Sequence, residues 1–146
     1  MANFGIAGLD WQQRINWDRL RNYRLERARE KMKAHGLGAM LLMYDGDVRY
    51  ITGTLFPGWN PLKPGLRYAM LCGDDKPVLF EQGDLGFQIE RHSPWIPKDH
   101  VRYSYAWIKG GAGPASSQEV KKFTNAVKQE MKKANVAGQK LGVDFI

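Results

Sequence analysis

A single cysteine, Cys72, stands in the 146 residues, so no disulfide can form within the chain and the sequence suits a reducing cytoplasm. Long apolar runs are missing too: nothing approaches the roughly 20 residues that a membrane-spanning helix requires. The opening residues, Met1-Ala2-Asn3-Phe4-Gly5-Ile6, lack both the basic and the extended apolar part of a secretory leader. Histidine is scarce. His35, His92 and His100 sit with no carboxylates at metal-ligand spacing, and they read as surface or capping residues. Neither Gly-x-Ser-x-Gly nor His-Glu-x-x-His occurs, which removes two hydrolase signatures. Acidic residues are in the minority, 15 against 22 Lys and Arg, for a formal net charge of +7.

What is present is an ordinary globular composition, 43% hydrophobic and 25% charged, on a length that fits one domain with a sizeable core. Positive charge gathers in two helical segments, Arg14 to Lys33 and Lys121 to Lys140. It is interleaved with or flanked by Asp18, Glu26, Glu30, Glu119 and Glu130. Such mixing marks a solvated helix face rather than a phosphate track, and no nucleic-acid-binding module accompanies it.

The punctuation of the chain predicts its elements. Residues 1–17, with Trp11 and Trp17, read as an amino-terminal arm, and residues 18–146 as the domain. Asp18 is expected to cap a helix running to about His35, with Leu25, Ala28 and Met32 on one face. Gly36 supplies the left-handed stop, and Gly38 loosens the turn that follows. Ala39 to Tyr44 is almost continuously apolar, the pattern of a strand covered on both faces. Asp45-Gly46-Asp47 breaks it, Val48 to Ile51 gives one short helical turn, and Gly53 closes that turn. Arg67 to Cys72 and Pro77 to Glu81, joined by Gly73-Asp74-Asp75-Lys76, make an antiparallel hairpin. A short helix from Asp84 through Ile89 and a strand from Val101 to Ile108 come next. Lys109-Gly110-Gly111-Ala112-Gly113-Pro114 is a flexible loop; it is no phosphate cradle of the Walker type, because its lysine precedes the glycines. Ser116 or Ser117 caps the last helix, whose buried stripe is Val120, Phe123, Val127 and Met131, and Lys140 to Asp144 forms a final strand. The sum is a three-layer α/β/α domain around a mixed, mainly five-stranded sheet.

Few residues point to chemistry. Cys72, in an apolar strand, reads as a small core residue. Asp45 and Asp47 form a carboxylate pair at a strand end, suited either to capping the next turn or to holding a cation. Thr54 to Leu66 holds three prolines, Pro57, Pro61 and Pro64, so it is a loop. Phe56, Trp59, Lys63 and Arg67 lie in or beside it. An aromatic among cations on such a loop suits an interface or a ligand wall.

The order of these pieces resembles the amino-terminal domain of the pita-bread metalloenzymes: Xaa-Pro dipeptidase, aminopeptidase P, creatinase and the dimethylsulfoniopropionate lyase. The resemblance spans roughly residues 20–146 and is strongest in Tyr50-Ile51-Thr52-Gly53. The basic helix before Ala39 and the closing Lys140-Leu141-Gly142-Val143-Asp144 add to it, and Trp107 to Pro114 is reminiscent of the lyase branch. Asp47 stands where the family usually carries Asn. The resemblance implies a noncatalytic, cytoplasmic half of an enzyme. The catalytic domain and its two divalent metal ions, held by two Asp, one His and two Glu, would lie on absent downstream sequence. No residue here matches those ligands, so no catalytic and no metal-binding residue is assigned. The implied partners are the enzyme's own catalytic domain, a second subunit in a homodimer, and a small-molecule or peptide substrate; neither nucleic acid nor membrane is expected. Phe56, Trp59, Lys63 and Arg67 become the expected substrate-binding residues, with Arg67 as a cation for a substrate carboxylate. Two alternatives stay open: a free-standing ligand-binding or oligomerisation module, and a basic nucleic-acid binder.

Overall fold

The computed structural model describes residues 14–54, 67–82, 86–105 and 113–144. Helix α1 runs over Trp17–Ala34. Its cap is Asn16 and not the expected Asp18: the Asn16 Oδ1 accepts the Arg19 backbone N–H at 2.9 Å. Asp18 instead lies inside the first turn, where its charge meets the positive end of the helix and pairs with Arg21 at 2.5 Å. Ala28 and Met32 are buried and Leu25 packs beside them, as the spacing predicted. Gly36 ends the turn with φ of 63°.

Strand β1, Leu37–Leu42, starts two residues earlier than expected. Gly38 is therefore a strand residue, not a turn residue. A Cβ there would come within 2.4 Å of the Gln139 Cβ, so glycine lets the segment before the last strand lie close. β1 pairs antiparallel with β2 (Tyr68–Cys72) and parallel with β5 (Lys140–Val143), the latter with an irregularity between Leu37 and Ala39. β2 pairs antiparallel with β3 (Val78–Glu81), which confirms the hairpin, and β3 pairs parallel with β4 (Val101–Tyr103). The order β4-β3-β2-β1-β5 is one mixed five-stranded sheet among the described residues. β4 covers only the start of the expected Val101 to Ile108 strand. Ser104 and Tyr105 fall outside it, and residues 106–112 lie outside the described residues.

Helix α2 spans Asp45–Thr52, longer than the single turn expected. The Tyr44 carbonyl accepts N–H groups from Asp47 and Val48 at 3.0 and 2.9 Å, so the acidic residues form the first turn rather than a break before it. Helix α3 is Gly86–His92; the expected start at Asp84 lies outside the described residues. A 3₁₀ turn at Lys98–His100 leads into β4.

Helix α4, Ser116–Lys133, has Ala115 at its cap position with no side-chain bond. Neither Ser116 nor Ser117 caps it, because the 3₁₀ turn Gly113–Ala115 runs directly into the helix and places both serines inside. Val127 and Met131 are buried and Phe123 packs edge-on to the Tyr68 ring, but Val120 is 43% exposed. The packed row continues toward Ala134 and Val136 rather than back toward Val120.

Period-two alternation across β2 divides the core. Tyr68, Met70 and Cys72 join Phe80, Val127 and Met131 on the α4 side. Ala69 and Leu71 join Leu79, Met32, Val48, Ile51 and Ile89 on the side of α1, α2 and α3. The sheet is thus covered on both faces, the expected α/β/α layering, and its middle strand β2 is buried throughout.

Candidate functional site around Arg67

Tyr50-Ile51-Thr52-Gly53 closes α2, and each residue has a separate task. Ile51 is buried in the core, while the Arg24 guanidinium carbon stands 5.3 Å from the Tyr50 ring centre. Gly53 takes φ of 68°, and its N–H donates to the Arg49 carbonyl. A Cβ there would lie 3.1 Å from the Arg21 Cδ and 3.4 Å from the Trp95 Nε1. Those neighbours are themselves fixed: the Trp95 indole N–H donates to the Thr52 carbonyl at 2.7 Å, and Arg21 stacks 4.0 Å over its ring.

Beyond Gly53 a buried polar chain begins. The Thr52 hydroxyl donates to the Val48 carbonyl at 2.7 Å, which leaves its oxygen to accept. The Thr54 hydroxyl, 2.7 Å away, then donates to Thr52 and itself accepts from the Arg67 Nη2. The Arg67 Nε donates to the Glu81 Oε2 at 2.8 Å, and its Nη1 to the Asp45 Oδ1 at 3.2 Å. Arg67 is 5% exposed and Glu81 1%, so this ion pair is shielded from water and salt. Taking these two charges out of water is costly, and only the full set of hydrogen bonds offsets that cost.

The geometry brings Arg67 together with Asp45, Glu81 and Thr54. Phe56, Trp59 and Lys63 lie outside the described residues. Thr54 and Arg67, which flank segment 55–66, are therefore joined side chain to side chain. Thr52 was read only as part of the Tyr50 to Gly53 motif, and Glu81, Thr54 and Trp95 were not singled out from sequence, yet a signal existed for one of them. In the hairpin Tyr68 faces Phe80, so one step outward Arg67 faces Glu81.

Asp45 thus serves as a partner of Arg67. Asp47 does something else. Partial burial, then the negative charge of Asp144 and a hydrogen bond with it, raise the Asp47 pKa above its ordinary 3.8. Asp144, just past β5, is anchored by the N–H groups of Met43 at 2.8 Å and Tyr44 at 3.0 Å. Cys72 is the core residue expected: burial first, then Glu130 and Asp75, push its thiol pKa up to about 11. Glu130 goes the other way. Burial opposes its ionisation, but hydrogen bonds from Lys133 and Arg102 outweigh that and hold it below the ordinary value. Among the described residues no group of three or more His, Cys, Asp or Glu is arranged to hold a metal ion. No described helix is long and apolar enough to cross a membrane.

The family model for the creatinase/prolidase N-terminal domain matches residues 24–145, most of the chain. No curated protein gives a significant match. The matched span takes in α1 from its third turn, the Tyr50 to Gly53 turn, the Arg67 network and β5.

Proposed function

The chain belongs to the creatinase/prolidase N-terminal domain family, and on that premise we propose that it is the noncatalytic amino-terminal half of a Xaa-Pro peptidase- or creatinase-like metalloenzyme. In this reading it contributes to dimerisation and to substrate access at an active site built by a catalytic domain. The metal chemistry, in this reading, belongs to that catalytic domain.

The observation that carries the reading is the joining of Thr54 to Arg67. The residues on either side of 55–66, Thr54 after α2 and Arg67 before β2, are both buried and bonded to each other, so the two ends of that segment are held at one point. Fixing the foot lowers the entropy lost when the segment closes over a ligand. Phe56 and Trp59 on it supply an apolar wall, and Lys63 a cation for a substrate carboxylate. Arg67, whose charge is already shared by Glu81 and Asp45, serves substrate binding from the foot of the segment. Covering a site in this way excludes water and strengthens the electrostatic interactions within it.

The test uses the full-length enzyme. Trp59→Ala and Lys63→Ala are expected to raise KM or lower kcat by about tenfold each, with the melting temperature unchanged. Wild-type kinetics in both variants would remove the proposal.

A further inference from the structure

We draw no further inference here: the strongest candidate, the crevice of about 130 Å³ between the β2–β3 turn, the Lys98–His100 turn and the end of α4, carries nothing, because its cations Lys76, Arg102 and Lys133 are matched by the carboxylates of Asp75, Asp99 and Glu130 and so select no class of ligand.

Discussion

Removing the Arg67 side chain tests the central geometry most directly. Arg67→Ala strands Glu81, which is 1% exposed, in an apolar setting without its cation. Breaking one partner of a buried pair in this way typically costs about 3–5 kcal/mol, because the remaining charge is left uncompensated. Asp45 is 29% exposed, so losing its contact adds only about 0.5 kcal/mol. The Thr54 hydroxyl loses a donor, worth about 1 kcal/mol. These terms share atoms and do not add fully, so a total of about 4 kcal/mol is expected. Domains of this kind hold about 5–15 kcal/mol, and the variant is therefore expected to fold, though with little reserve. Urea unfolding followed by tryptophan fluorescence measures the loss, provided the m-value is unchanged. The double variant Arg67→Met with Glu81→Leu removes both charges and is expected to recover more than half of it. A loss below about 1 kcal/mol for Arg67→Ala, or a double variant no better than the single one, would refute the reasoning.

Two further predictions rest on single positions. Gly53→Ala meets both a left-handed backbone and the Arg21 Cδ at 3.1 Å, whereas Gly36→Ala meets the left-handed backbone alone. Gly36→Ala is expected to cost about 1 kcal/mol and Gly53→Ala about twice that; equal melting temperatures would remove the crowding argument. Asp47→Asn tests the Asp144 contact through pH. The folded-state pKa of Asp47 is raised, so its contribution to stability is fully present below the ordinary 3.8 and is lost as pH rises through the folded value. The variant is expected to melt higher than wild type at about pH 7 and to lose that advantage at about pH 3; a pH-independent difference would contradict it.

How much of this was legible in the sequence depended on the kind of signal. The Met32 face of α1, the apolar β1 and the hairpin were readable, because periodicity and turn chemistry are local. The caps were not: Asn16 and Asp18 are both capable acceptors, and only the position of the first turn decides between them. Val120 was misplaced because a stripe on α4 says which residues align, not how far the helix overlaps the sheet. The place of Gly38 inside β1 reflects the close approach of Gln139, about a hundred residues away in sequence, which no local rule sees. At the candidate site Arg67 could be named for its position beside a proline-rich loop. Its partners Thr54, Asp45 and Glu81 became visible only when the hairpin register and the end of α2 met.

That meeting point explains why a polar network serves here better than an apolar one of equal volume. Apolar packing can be as stable, but it is non-directional, and neighbouring arrangements differ little in energy. The Arg67 guanidinium is planar and offers donors in fixed directions, here to Glu81, Asp45 and Thr54. Each acceptor is carried by a different part of the chain: the end of β3, the start of α2, and the residue after Gly53. A shift of any one of them leaves a buried polar atom without its partner, costing about 1–3 kcal/mol, so the arrangement resists sliding as well as unfolding. The Arg67→Met, Glu81→Leu variant therefore separates two quantities that Arg67→Ala changes together. Its stability is expected to return toward wild type, while Thr54 and residue 67 lose the bond that holds them in register. If the position of segment 55–66 governs substrate access, the same variant in the full-length enzyme remains folded but impaired. If the network serves stability alone, it works normally.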